Sequence, residues 1–154
     1  ALNEYAPLGI EAAVTNTATV SGTGITPVTA AETVNAEAAP NLAITKSVSP
    51  VPVTENGTLT YTFRIQNYGS VAATNTTGVV ITDTFAPVLN NLTAALNGTA
   101  WTAATDYTYN EATGTFSSTA GAITVPAATY TQDSTTGAWV VTPGESTLVI
   151  TGTV

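Results

Sequence analysis

The chain contains no histidine, cysteine or methionine, and few of its residues are charged. The lack of imidazole and thiol groups removes the commonest general base, the thiolate nucleophiles and the usual zinc ligands. It also excludes disulfides as a source of stability. The ten acidic residues show no spacing typical of a calcium loop. We therefore expect no metal site, no cofactor and no turnover enzyme.

The charged groups that are present are mostly acidic. Ten acids and two bases give a formal net charge of −8, which is unfavourable for contact with a phosphate backbone. No apolar run approaches the roughly 20 residues that cross a bilayer. We expect neither nucleic acid nor membrane insertion. Low charge, abundant threonine and the lack of oxidisable sulfur favour an extracellular location, either at a cell surface or in a secreted filament.

Apolar and polar residues alternate with a period of two along most of the chain, which predicts β-strands. Two segments that read as aromatic hairpins, 106–118 and 128–141, each have a Thr-Gly turn, and a last strand follows in 143–154. Three further strands, LAITKSV, TLTYTFRIQN and GVVITDTF, each carry one apolar face. The residues predicted to point inward on them are Leu42, Ile44 and Val48; Leu59, Tyr61, Phe63 and Ile65; and Val79, Ile81 and Phe85.

Short strands at this spacing predict an all-β, immunoglobulin-like sandwich, which we place at residues 40–154. Residues 1–39 contain two strand candidates, AAVTNTATVSG and TPVTAAETVNA, but few large apolar residues. Such a segment cannot bury enough surface to form a core of its own. We interpret it as an N-terminal donor strand and linker that completes the sandwich.

Residues 40–86 resemble the bacterial surface repeat catalogued as domain of unknown function 11. Its units open with a strand like LAITKSVSP, continue through GTLTYTFRIQN and VVITDTF, and end with a strand like VTNTATVSG. Here the closing motif lies at 12–22, ahead of the opening strand, and no such strand follows Val154. The resemblance implies an extracellular sandwich whose closing strand has moved to the N-terminus.

The altered strand order has three interpretations. The head could fold back into its own sandwich, as in a circular permutation, or the chain could be one period cut from a tandem array. The third is insertion into the next subunit, a head-to-tail contact that builds a filament of identical chains. We favour this strand donation, with an inward donor face formed by Val14, Asn16, Ala18 and Val20.

Three polar residues lie on apolar strand faces, namely Lys46, Asp83 and Asn16. Burying a lysine or a carboxylate costs several kcal/mol unless the charge is paired. Their order resembles that of isopeptide-forming domains of Gram-positive pili. The resemblance implies that Lys46 is the nucleophile, Asp83 the catalytic acid and Asn16 the acceptor. The alternatives are a noncovalent pair between Lys46 and Asp83, or local roles at strand ends and bulges.

These patterns predict a structural subunit of an extracellular filament that polymerises by N-terminal strand donation. The alternative is a monomeric stalk or adhesin repeat that binds carbohydrate or a host protein. Aromatic residues in alternating strands are more often core than binding platforms. The candidates for a sugar platform are Trp101, Tyr107, Tyr109, Tyr130 and Trp139.

Overall fold

The computed structural model describes residues 12–36 and 38–154, without the side chains of residues 12–14, 35 and 36. The first eleven residues of the predicted donor segment, and the side chain of Val14, therefore lie outside the described residues. No helix in the described ranges is long and apolar enough to span a membrane.

Strands make up most of the described chain, as the alternation predicted. Their bounds are β1 Ala12–Gly22, β2 Ile25–Ala36, β3 Leu42–Ser49, β4 Thr58–Asn67, β5 Thr82–Thr84, β6 Asn90–Leu96, β7 Thr99–Ala100, β8 Tyr107–Asn110, β9 Thr115–Ser118, β10 Thr129–Gln132, β11 Trp139–Thr142 and β12 Gly144–Thr153. A single 3-10 turn, Asn75–Thr77, is the one helical element within 12–36 and 38–154.

Two antiparallel sheets pack face to face as a sandwich, which confirms the all-β fold. The wider sheet has five strands in the order β3-β4-β12-β6-β7, and the narrower has three in the order β5-β9-β8. The short strands β10 and β11 form a separate hairpin. Both predicted aromatic hairpins, β8–β9 and β10–β11, form as expected.

Aromatic side chains from both sheets meet in the core. Phe85, beside β5, packs its ring 4.7 Å from that of Tyr61 on β4 and 6.3 Å from that of Phe116 on β9. Offset and tilted contacts of this kind add to the gain from burying apolar area. The predicted inward residues of β4 are all buried: Leu59, Tyr61, Phe63 and Ile65.

The strand β3 departs from the prediction. It pairs with β4 over its whole length, yet every one of its residues is exposed. Leu42, Ile44 and Val48 share the inward face but lie uncovered, because the narrower sheet does not extend over them. The predicted burial of these three residues is therefore wrong, although their predicted direction fits the register.

Two other elements differ from the sequence prediction. Only Thr82–Thr84 of the predicted strand GVVITDTF is a strand. The strand β6 was not predicted, because its inward positions include the small residue Ala94 and its polar start resembles a turn. Asn91 there has a positive φ of 52°, a conformation that asparagine tolerates better than most residues.

The amide of Asn67 fixes the start of β3. Its Oδ1 accepts the backbone N–H groups of Asn41 and Gly69, and its Nδ2 donates to the carbonyls of Val71 and Pro126. Asn67 is fully buried, so these bonds satisfy a group that would otherwise be costly to bury. The chain therefore enters the sandwich from the N-terminal segment at a fixed point.

Gly114→Ala should destabilise the fold by about 2 kcal/mol or more, since φ is +70° and an added Cβ would overlap the carbonyl oxygen of Phe85. Gly137→Ala is the matched control, with φ of +71° and no atom near the added Cβ, and it should cost only about 1 kcal/mol. Urea unfolding of both variants measures the difference. Equal losses would contradict the tight contact between Gly114 and Phe85.

The exposed cross-strand pair between Arg64 and Glu145 predicts a small acid dependence. Arg64 Nη2 lies 2.6 Å from Glu145 Oε2, and this hydrogen bond lowers the pKa of Glu145 from its ordinary value of 4.5. A lowered folded pKa means that the stabilisation is present above pH ~4.5 and is lost as the pH falls through the folded value. Glu145→Gln should flatten the fall in unfolding free energy between about pH 5 and 3. If the unfolding free energy of this variant fell with acid as steeply as that of the natural chain, the pair would contribute nothing to stability.

Candidate functional site

Two sheet edges face each other along one side of the sandwich. β3 is an edge strand of the wider sheet and β5 an edge strand of the narrower one. Lys46 Nζ on β3 donates a hydrogen bond to Asp83 Oδ2 on β5, which makes an ion pair between the two edges. The structure thus brings together two of the three residues predicted for the site.

Open grooves lie on both sides of this ion pair, and together we call them the edge groove. The first has a volume of about 340 Å³ and is lined mainly by apolar residues, Leu42–Ile44, Ile65 and Val79–Thr82. The second has about 380 Å³ and is lined by Lys46–Val48, Tyr61 and Thr84–Ala86. Residue numbers increase in the same direction along both walls of the edge groove. The strands β3 and β5, which face each other across it, therefore run in the same direction.

The side chain of Lys46 lies over an aromatic floor. Its Nζ is 4.8 Å from the ring centroid of Tyr61, 5.2 Å from Phe85 and 5.4 Å from Phe63. Ring faces attract a cation at these distances, and the register partner of Lys46 is the buried Phe63. Lys46 therefore points inward, as predicted.

The predicted burial of Lys46 and Asp83 is only partly right. Their side chains retain 40% and 19% of their full exposure. Asp83 is opposite the buried Phe116 in the β5–β9 register, so it also faces inward. Lys46 stays accessible because no strand covers β3. The desolvation that amide formation would need is thus incomplete in the single chain.

The second oxygen of Asp83 caps the free edge of β5. In and beside β5, the backbone groups of the odd-numbered residues point towards β9. There the Phe85 N–H donates to the Gly114 carbonyl, and the Ile81 carbonyl accepts the Ser118 N–H. Alternation turns the Thr84 N–H to the other side, and there it donates to Asp83 Oδ1 at 2.9 Å. The carboxylate of Asp83 thus accepts hydrogen bonds from Lys46 and from the Thr84 N–H. A further strand paired with β5 would accept the Thr84 N–H in its place.

Asn16, the third predicted residue, is not beside Lys46 within one chain. It lies on β1, which pairs only with β2 in the described residues. The described side chains of this hairpin, from residue 15 to residue 34, are all exposed. In the single chain β1 therefore does not fill the edge groove of its own sandwich.

The β1–β2 hairpin is amphipathic. One face carries threonines, among which the hydroxyls of Thr15 and Thr33 are hydrogen-bonded at 2.8 Å. Register partners point to the same side of an antiparallel pair. The partners on the opposite face are Val20 with Val28, Ala18 with Ala30 and Asn16 with Glu32, and Val34 lies on this face too.

Glu32 is the residue that sequence reasoning missed. It lies directly opposite Asn16 in the hairpin register, so the apolar face has two polar residues side by side at its centre. The signal was present, because VTAAETV places Val28, Ala30, Glu32 and Val34 at every second position, as VTNTATV does for β1. Pairing of the two segments as one hairpin was not predicted.

The five aromatic residues considered for a sugar platform do not share one accessible surface. Tyr107 is buried and stacks on Phe116 with centroids 5.4 Å apart. Tyr109 donates its hydroxyl to the carbonyl of Leu89, and Trp101 packs against the core. These residues stabilise the sandwich, as aromatic side chains in alternating strands commonly do.

Within residues 12–36 and 38–154, no three acidic, histidine or cysteine side chains cluster as metal ligands. Searches with family models, curated proteins and solved structures give no match to the chain. The resemblance to the bacterial surface repeat therefore stays a prediction. The case for a function rests on the edge groove and on the apolar hairpin face.

Ile44→Thr should change the unfolding free energy of the single chain by less than about 1 kcal/mol, since Ile44 is 52% exposed. Its register partner Ile65 is 3% exposed, and Ile65→Thr should cost about 2 to 4 kcal/mol. Denaturant unfolding at a concentration where the chain is monomeric compares the two. A large loss from Ile44→Thr would mean that β3 is already covered within the chain.

Proposed function

We propose that the protein is a structural subunit of an extracellular filament, and that copies join head to tail by donating an N-terminal strand. The observation that carries this proposal is the edge groove, whose β3 wall presents Leu42, Ile44 and Val48 to solvent. An exposed edge strand with an apolar face is an attachment site for another strand. The proposed occupant is β1 of a second copy.

Donor and acceptor match in length and chemistry. The donor β1 has 11 residues and the acceptor wall β3 has 8, so one strand can run the length of the groove. Ala18 and Val20 alternate on one face of the donor, at the spacing of the apolar residues on β3. Burying them would gain about 25 cal/mol for each Å² of apolar area removed from water.

Donation between chains gives an open assembly. The donor hairpin and the acceptor groove are different surfaces of one molecule, so each copy can receive one hairpin and give another. A heterologous contact of this kind continues along a line unless its rotation closes a ring. Self-association by strand addition needs no ligand, metal or cofactor.

Insertion would also create the conditions for a covalent bond. A strand over β3 excludes water from Lys46 and Asp83, and burial favours the neutral amine and the protonated acid. The Lys46 Nζ would then attack Cγ of Asn16 from the inserted strand. The new C–N bond replaces the bond to the Asn16 amide nitrogen, which leaves as ammonia after Asp83 relays a proton to it. Each bond would join two subunits.

A noncovalent junction is the second possible chemistry at the same groove. Lys46 and Asp83 already form an ion pair, and covering it would strengthen the attraction by lowering the local dielectric. In this case Asn16 would hydrogen-bond to the pair. Assembly would then depend on packing, edge hydrogen bonds and charge.

The test is a denaturing gel of assembled protein boiled in detergent, with intact mass of every band. Crosslinked subunits should give a ladder in which each bond removes the mass of one ammonia. A noncovalent filament should give monomer at full mass from material that sediments as polymer before boiling. Protein that remains monomeric before boiling at high concentration would contradict the filament. A monomer lacking one ammonia would place the bond within one chain.

Replacing each of the two bases in turn distinguishes a specific effect of Lys46 at the junction from a general effect of surface charge. Lys46→Ala should abolish any ladder and lower the resistance of assembled protein to heat and detergent, because it removes the amine and the ion pair. Arg64→Ala is the matched control, since Arg64 also pairs with an acid but lies on the outward face of β4. Equal effects of the two substitutions would count against a special role for Lys46.

A further inference from the structure

We infer that the donor is the intact β1–β2 hairpin rather than β1 alone, and that Glu32 enters the groove beside Asn16 and meets Lys46 of the acceptor copy. This inference rests on the proposed function in its noncovalent form, in which Lys46 keeps its charge, and extends it in two ways. It assigns β2 to the donor, and it adds a second carboxylate to the junction.

The hairpin is already a paired unit. β1 and β2 are in register from Ala12 with Ala36 to Val20 with Val28. Inserting β1 alone would break this ladder and leave the backbone groups of β2 without their partners. Inserting the whole hairpin keeps the ladder and adds new edge bonds on one side only.

Both strands of the hairpin contribute to the face that must be covered. Val20, Val28 and Val34 are all largely exposed in the single chain. The other face carries threonines, which can remain in contact with water after assembly. A hairpin with one apolar face is the form expected of a piece of sheet that packs on another sheet.

The sandwich has space for such a piece of sheet. Its wider sheet has five strands and its narrower sheet three, so the narrower sheet leaves the inward face of β3 uncovered. A hairpin added beside β5 would extend the narrower sheet over β3. The added strand can accept the Thr84 N–H, which now donates to Asp83 Oδ1, and this would free that carboxylate oxygen.

Charge complementarity directs Glu32 to Lys46. The chain has two bases, and Arg64 is already paired with Glu145. Lys46 is the base in the edge groove, and Glu32 is the acid on the apolar hairpin face. Since directly opposed residues have Cβ atoms about 5 Å apart, a hairpin that places Asn16 at Lys46 also brings Glu32 there.

Glu32 is a positioning residue in this arrangement. Its carboxylate is costly to bury unless it meets a cation. A shift of the hairpin by one residue would turn Glu32 out and the threonines in. The pairing with Lys46 therefore selects one register and one face of the hairpin, and that register sets Asn16 beside the amine.

Cysteine pairs test the hairpin directly, because the natural chain has no cysteine. A groove variant, Ile44→Cys or Val48→Cys, is mixed with full-length Ala18→Cys, Ala30→Cys or Thr33→Cys, oxidised, and run on denaturing gels with and without reductant; Ala18 and Ala30 are register partners on the face that carries Asn16 and Glu32. Ile44 and Val48 flank Lys46 on the same face, which leaves the lysine in place. Thr33→Cys is the control on the opposite face of the same strand.

The expected result is a reductant-sensitive dimer with both Ala18→Cys and Ala30→Cys. Its yield should be at least about tenfold above that with Thr33→Cys, because a disulfide needs Cβ atoms within about 4.5 Å. Dimer from Ala18→Cys without dimer from Ala30→Cys would overturn the hairpin and leave strand donation standing. No dimer above control from either position would overturn the proposed function as well.

A charge test isolates the role of Glu32. Glu32→Gln should weaken self-association at least about tenfold, as expected when one partner of a buried charge pair is removed. Glu111→Gln, which removes the same charge from an exposed turn, should leave the association constant measured by analytical ultracentrifugation unchanged. Equal behaviour of the two variants would overturn the contact between Glu32 and Lys46.

Discussion

An apolar sheet face has to be covered, and this sandwich is built from sheets of unequal width. The aromatic core satisfies that constraint over β4, where Tyr61 and Phe85 meet, but β3 lies beyond it with its inward face in solvent. The alternation that places large apolar residues on the inner faces of both sheets thus also leaves an exposed apolar edge. The same chain carries a hairpin with the complementary face. Stability and the proposed association are therefore two uses of a single pattern of alternating residues.

The scarcity of charge gives the ion pair at the groove its importance. The chain has two bases, and one of them, Lys46, lies over three aromatic rings at the groove. Lys46 and Asp83 tie together strands from opposite sheets where no backbone ladder connects them. Replacing them with apolar residues could stabilise the single chain, since partly buried ion pairs often contribute little net stability. In the proposed assembly, the two charges define what can bind between the edges.

Sequence patterns predicted most of the sandwich and part of the site. Strong alternation of large side chains identified β4 and the inward direction of Lys46 and Asp83, since direction depends only on the period of a strand. Burial depends on what lies opposite, which is a nonlocal property, and this is why the exposure of β3 was not foreseen. Pairing of β1 with β2 was missed for a related reason: both segments are rich in alanine and threonine, so neither gave a strong apolar signal. Glu32 became visible as a candidate only once the register was known.

The pinned start of β3 has a mechanical consequence. A pull on the hairpin reaches the sandwich through Asn41, which the buried amide of Asn67 holds, and then passes into a strand bonded to β4 over all 8 of its residues. A pull directed along β3 loads this ladder in shear, so that its bonds share the force, whereas a pull across the strands would break them one at a time. Resistance to force is set by the rate of unfolding and not by equilibrium stability. A small domain without disulfides can therefore bear tension through the direction in which its strands are loaded.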